Sequence, residues 1–276
     1  MSFLSVFALW LEEKELAGRS DARTVAQELS AVARRIAASA GFAPGERALD
    51  IGSGTGAVAF AAADQGAGVV AVDLDRGALD RGRDLAGSLR APVRHVGADA
   101  RALPFDAGSF DAAVHRSVLV YMEGRERAVA EERRVLRPDG RVSCSESLGN
   151  DLQLETEDRG IGRAWDGGLR DILLGTPDVL TLTPAGLDSL YVEAGFEDVA
   201  ITSVPQRLIL DSAEAVARAF ATSPPKGLSA RERWLRAGIE GGLLDQFLAR
   251  LAAEADRGRP ATLIATEGFL TARAPG

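Results

Sequence analysis

Between residues 47 and 145 the sequence alternates short apolar runs with helix-like segments, and few folds accept that alternation. The runs are Arg47–Ile51, Val69–Asp73, Val93–Val96, Phe110–His115 and Gly140–Ser145, and helical spacing occupies 55–64, 76–88 and 124–136 between them. Short strands separated by helices predict a parallel sheet covered on both faces. The intervals are too short for a barrel of eight such units. Ahead of this block, Phe3–Leu11 reads as an amphipathic helix running into Glu12, Glu13 and Glu15. A second helix is predicted over 21–40 from Val25, Leu29, Val32 and Ile36, with Asp21 as its cap and Gly41 as its stop.

Beyond Ser145 the pattern changes. Residues 147–180 are rich in Gly, Asp and Leu, hold Trp165 and the pair Gly167-Gly168, and read as a loop or partly helical cover without a clear strand. Thr183–Ala194 predicts a helix stopped by Gly195, and Val199–Leu210 a strand that Pro205 places at a bulge or an edge. Residues 211–257 read as two helices split at Ser223-Pro224-Pro225, and Ala261–Ala272 as a final strand.

Charge and cysteine usage narrow the chemistry. The 276 residues carry 32 basic and 40 acidic side chains, a net charge of −8, which repels a nucleic-acid backbone. Cys144 is the single cysteine, so an internal disulfide, an iron–sulfur cluster and a thiolate zinc site are excluded, and no metal is expected. No apolar run approaches the roughly 20 residues needed to cross a bilayer. A soluble, cytoplasmic protein without membrane or nucleic-acid partners is expected, its oligomeric state left open.

The most informative stretch is Ala48-Leu49-Asp50-Ile51-Gly52-Ser53-Gly54-Thr55-Gly56-Ala57, where the first strand meets its helix. Alternate glycines let the backbone turn sharply and admit a ligand to main-chain atoms. Gly52, Gly54 and Ala57 also satisfy the dinucleotide pattern Gly-x-Gly-x-x-Gly/Ala, with Asp73 at the offset of a ribose-binding acid. Asp50 separates the readings: a carboxylate at the strand end opposes an anionic pyrophosphate but suits a ligand bearing ammonium and sulfonium groups.

With that acid, Leu49–Gly56 is similar to motif I of the class I S-adenosylmethionine-dependent methyltransferases. Val69–Asp75 resembles the family's second strand, whose terminal acid takes the ribose hydroxyls. Gly97-Ala98-Asp99-Ala100 resembles the turn whose Asp meets the adenine amino group. Leu103–Asp106 with Ser109–Asp111, and Arg134–Val142, resemble the approaches to strands four and five. The similarity spans about residues 46–145.

The resemblance implies an α/β fold: a Rossmann-like seven-stranded, mostly parallel sheet with helices on both faces, an antiparallel last strand and helical cover insertions. Residues 1–44 are then an N-terminal helical cover, 45–210 with 258–276 the nucleoside-binding domain, and 211–257 a helical insertion over the acceptor. It also implies S-adenosylmethionine as cofactor, S-adenosylhomocysteine as product, and cofactor contacts from Asp50, Gly52, Ser53, Gly54, Gly56, Asp73, Leu74, Asp99, Ala100 and His115. The general likeness is to small-molecule enzymes of ubiquinone, menaquinone and secondary-metabolite pathways.

Several of these residues also have purely structural readings. Asp50 and Asp73 are both able to cap helices, and Asp75 is the natural cap of the helix after the second strand. Asp99 suits a turn, and His95 suits packing. His115 ends the fourth strand and is expected to line the floor beside the transferable methyl as a base. Related sequences place a histidine a few positions later, where this chain has Leu119-Val120-Tyr121-Met122. Tyr121, Glu146, Trp165 and Trp234 are the expected acceptor contacts, and Cys144 a buried small apolar residue. The expected activity is methylation of a small, partly apolar metabolite, with oxygen preferred over nitrogen or carbon. The rivals are a non-catalytic S-adenosylmethionine-binding protein and an NAD-dependent oxidoreductase.

Overall fold

The computed structural model describes residues 2–16, 22–171, 182–221 and 229–276. Its sheet has seven strands: β1 Arg47–Ile51, β2 Gly68–Asp73, β3 Val93–Gly97, β4 Phe110–Arg116, β5 Leu136–Glu155, β6 Glu197–Leu210 and β7 Ala261–Arg273. They lie in the order β3-β2-β1-β4-β5-β7-β6. β1 to β5 pair in parallel, and β7 runs antiparallel between β5 and β6. This is the expected α/β sheet, with its antiparallel last strand.

Successive residues of a strand point to opposite faces, and the alternation here feeds two cores. On one face Ala48, Val69, Ala71, Ala112 and Val114 pack with helices α1 Phe3–Trp10, α2 Ala22–Ala40 and α3 Ala57–Ala63. A π turn, Leu11–Glu15, continues α1. On the other face Leu49, Ile51, Val72, Ala113 and Leu270 pack with α5 Arg125–Val135 and α7 Pro184–Glu193. Helix α4, Arg76–Leu89, leads into β3, and α6, Arg159–Ala164, follows β5.

Three expectations change. β5 does not stop at Ser145 but runs to Glu155, because the outer half of β7 supplies a partner: after a register shift between Leu148 and Gln153, Gln153 faces Ile264 and Glu155 faces Thr262. The segment after Ser145 is thus strand first and helix only from Arg159. The insertion holds three helices among the described residues, α8 Ala213–Ala221, α9 Ala230–Arg236 and α10 Gly241–Asp256. Gly238, at φ +85°, makes the break between the last two. Residues 223–225 and Asp21 lie outside the described residues. Pro205 faces Thr266 on β6, an edge strand, which tolerates its missing N–H.

A third core joins α6, α8, α9 and α10 through Ile161, Trp165, Phe220, Trp234, Phe247 and Leu251, and reaches the sheet at Leu210 and Ala261. Among the described residues no helix is long and apolar enough to cross a membrane, and no group of His, Cys, Asp and Glu is able to hold a metal.

Candidate functional site

A cavity of about 960 Å³ opens at the carboxyl ends of β1, β2 and β4, where an open α/β sheet leaves a crevice. The turn after β1 shapes it. Gly52, Gly54 and Gly56 have φ of +61°, +53° and +103°, a region that costs side-chain-bearing residues strain. A β-carbon on Gly52 would come within 2.5 Å of Val118 Cγ2, whereas one on Gly54 would meet nothing within 4 Å. Gly52 borders the cavity while packing closely against Val118, and Gly54 leaves backbone open to the cavity.

Acids hold this turn in place. The Gly54 N–H donates to Asp73 Oδ2 at 2.8 Å, and the Asp75 N–H to Asp73 Oδ1 at 2.8 Å. Asp75 caps α4 by accepting from the Ala78 N–H at 3.1 Å, as expected. Asp50 is 1% exposed, and its Oδ2 accepts from the Ala59 N–H in the first turn of α3 at 2.9 Å. Burial pushes the Asp50 carboxyl up to about 7, against the pull of that N–H. The capping role and a place on the cavity wall thus coexist in one residue.

Ser53, Leu74, Asp99 and Ala100 also line the cavity, while Gly56 shapes the turn behind it. Asp99 is committed to Arg101: Nε and Nη2 of the guanidinium donate to both carboxylate oxygens at 2.8–3.3 Å. Those bonds hold its pKa at about 2. His95 packs behind the turn, where a β-carbon on Gly82 would come within 2.6 Å of its Nε2.

The structure corrects the acceptor-side expectations. His115 is 1% exposed and does not line the cavity. Its Nδ1 lies 3.1 Å from Glu146 Oε1 and its Nε2 2.8 Å from the Tyr191 hydroxyl, inside the core of the opposite face. Burial would lower the imidazole, but Cys144, Glu146 and Glu132 outweigh it and hold His115 well above its ordinary value. Glu146, 0% exposed, does not face the cavity either. It accepts from the Val118, Leu119 and Val120 N–H groups at 2.8–3.0 Å and so fixes the turn that carries Tyr121. Cys144 is buried and free, as expected.

Trp165 and Trp234 are core residues of the insertion and lie off the cavity. Trp234 stacks on Phe220 with ring centroids 5.4 Å apart, and its Nε1 donates to the Leu169 carbonyl at 2.8 Å. Tyr121 does line the cavity. Burial raises its phenol, while the charges of Arg116 and Arg233 lower it.

Sequence reasoning missed Arg116, Ser147 and Glu267, which line the cavity together with Phe7, Leu11 and Leu29 of the N-terminal segment. The available signal was an acid inside an otherwise uncharged strand segment, Thr266-Glu267-Gly268-Phe269.

Residues 49–144 match the family model described as "Methyltransferase domain". A demethylmenaquinone methyltransferase of Clavibacter sepedonicus is 44% identical over 115 residues, 41% of this chain and 46% of that protein. The chain thus spans less than half the length of that curated relative in the match. Over most of the chain the likeness is one of fold. The YcgJ protein of Bacillus subtilis superposes with a TM-score of 0.61 at 17% identity, covering 89% of this chain and 99% of that one. A phosphoethanolamine N-methyltransferase of Haemonchus contortus, solved with S-adenosylhomocysteine, gives 0.55 at 18% identity, covering 91% and 53%. The match to the family model is thus confined to residues 49–144, and over most of the rest of the chain the likeness is one of fold.

Proposed function

We propose that this methyltransferase-domain chain binds S-adenosylmethionine and methylates a small, partly apolar acceptor, at oxygen. The observation that carries the reading is the open Gly54 backbone beside buried Asp50. A pyrophosphate placed there would meet a carboxyl in a poorly solvated wall, whereas a cationic ligand favours its ionised form. Asp50, Ser53, Gly54, Asp73, Leu74 and Ala100 would hold the nucleoside and its amino-acid tail. Asp99 would share its carboxylate between Arg101 and the adenine. When bound, S-adenosylmethionine supplies an electrophilic methyl carbon on a positively charged sulfur. This chain's residues then supply alignment, which accounts for most of the rate in an in-line displacement.

The matched relative is a demethylmenaquinone methyltransferase, which supports a small-molecule acceptor. Phe7, Leu11 and Leu29 supply an apolar wall, in keeping with residues 1–44 as a cover. The insertion 211–257 would extend that cover, and the Arg233 charge acting on the Tyr121 phenol supports it. The burial of His115 favours a second reading, a binding protein without turnover, since the expected base is remote from the cavity.

Calorimetry with S-adenosylmethionine, S-adenosylhomocysteine and NAD tests the ligand, and mass spectrometry of products tests turnover. Binding of both sulfur nucleosides without NAD, followed by methylated product, is expected. Micromolar NAD binding with none for the sulfur nucleosides overturns the proposal. Binding without product for any acceptor supports the second reading.

A further inference from the structure

We propose that Glu267 is the proton acceptor of this site and that Arg116 steadies the oxygen it deprotonates, so that the acceptor is a phenol or enol rather than an amine. The inference deepens the methyl-transfer reading above and rests on it. β7 places Glu267 opposite Ser147 of β5 and Val204 of β6. On β7 the side chains of Glu267 and Phe269 are only partly buried, while those of Thr266, Gly268 and Leu270 are buried. Phe269 packs into the core of the N-terminal helices, so the Glu267 face is the one turned toward the cavity wall formed by Phe7, Leu11 and Leu29.

The carboxylate is held from below. Ser145 Oγ donates to Oε1 at 2.5 Å and Ser147 Oγ to Oε2 at 3.4 Å, which fixes the group and leaves further lone pairs on each oxygen. Ionisable groups that act on it include Arg116 at the end of β4 and Glu146 on β5, and its own charge acts on the Tyr121 phenol. Burial and Glu146 push Glu267 up, the serines and Arg116 pull it down, and the balance lies above the ordinary glutamate value. A carboxylate shifted toward neutrality is a better base.

Among the other carboxylates on the cavity, Asp75 caps α4 and Glu123 is exposed to solvent. Asp73 and Asp99 are engaged with backbone N–H groups and with Arg101, and Asp50 caps α3. Tyr121 is pushed up by burial and stays protonated, a donor rather than a base. Arg116 decides the acceptor class. It lines the same cavity, and its charge acts on both Tyr121 and Glu267. A cationic amine would meet a like charge there, whereas an oxygen losing its proton gains a counter-charge.

In the step, the acceptor O–H bond breaks and its proton passes to a Glu267 oxygen. The oxygen lone pair forms the new bond to the methyl carbon, and the sulfur–methyl bond breaks with its electron pair kept by sulfur. The products are a methyl ether, a neutral thioether and a protonated Glu267, which returns its proton to solvent. No oxidant or further reactant is needed.

The test compares the wild-type chain with Glu267→Gln, using catechol, 4-nitrocatechol and phenethylamine as acceptors. Expected are methylation of both phenols, not of the amine, and a loss of about 100-fold or more in kcat/KM with catechol for the variant. The loss with 4-nitrocatechol, which is already largely ionised near neutral pH, should be below about tenfold, because the base is then dispensable. S-adenosylhomocysteine affinity should not change, which separates a lost base from a damaged site. A readout without turnover accompanies this: ¹³C-carboxyl NMR of the S-adenosylhomocysteine complex should show a glutamate titrating above the usual range that vanishes in Glu267→Gln. Equal rates in the variant, absence of that resonance, or methylation of the amine with neither phenol each overturns the assignment. Failure of the wild-type chain to bind S-adenosylmethionine is a different result, which removes the methyl-transfer reading beneath it and the assignment together.

Discussion

Asp50 caps α3 and borders the cavity with one carboxyl, and its burial and the Ala59 N–H pull its ionisation in opposite directions, burial raising it and the N–H lowering it. Its folded value of about 7 lies above the ordinary 3.8, so its contribution to stability is complete below about pH 4 and is lost as pH rises through 7. Asp50→Asn keeps an acceptor for the Ala59 N–H without the buried charge. The variant should therefore be more stable than the parent above pH 7, by up to about 4 kcal/mol, with the difference closing toward pH 4. Denaturant unfolding across that range measures it. The same variant should bind S-adenosylmethionine more weakly, and the parent's preference for the sulfonium over S-adenosylhomocysteine should grow from pH 6 to 8.

The glycines beside it separate packing from binding. Gly52→Ala should destabilise by about 1–3 kcal/mol, since it adds a clash with Val118 to an unfavourable φ. Gly54→Ala carries only the strain, about 1 kcal/mol, yet should weaken nucleoside binding more. Thermal unfolding paired with calorimetry distinguishes them, and the reverse ranking would refute the assignment. This turn and its acids were legible because their roles are local: a glycine spacing and a cap are written within a few residues. Glu267 was not, since its role comes from strands β5 and β7 meeting across more than a hundred residues. His115 misled for the same reason. The end of a strand is readable from sequence, but which face the last side chain takes depends on Tyr191 and Glu146.

Among the elements, α6, α8, α9 and α10 pack around Trp165, Phe220, Trp234 and Phe247 as a core of their own. Trp234→Ala should cost about 3–5 kcal/mol of local stability. It should leave nucleoside affinity nearly unchanged, because Trp234 does not line the cavity. Equal loss of S-adenosylhomocysteine binding in calorimetry would show that this core props the nucleoside site. The parallel strands and their helices were legible from periodicity, since each buries a face that its own pattern announces. The outer half of β5 was hidden because its partner, the outer half of β7, is remote in sequence and the intervening Gly149 and Gln153 dilute the alternation.

For the whole molecule, the separation of cores predicts where a ligand tightens the fold. In hydrogen exchange, S-adenosylhomocysteine should slow the amides of β1, α3 and the end of β2, and leave α9 and α10 little changed. Uniform protection would mean that the insertion closes as one body with the sheet. The order of the strands has a further consequence for how the chain comes into being. β7 is made after β6 yet lies between β5 and β6, so a nascent chain carries two orphan edges while the whole insertion is being synthesised. An unpaired strand edge is a template for any other extended chain, and β6 exposes Leu208 and Ile209 even when paired. The β7 segment that sets Glu267 in place is therefore also the one that ends this vulnerable interval, and a polysome carrying this message has reason to recruit chaperones between the completion of β6 and the arrival of β7.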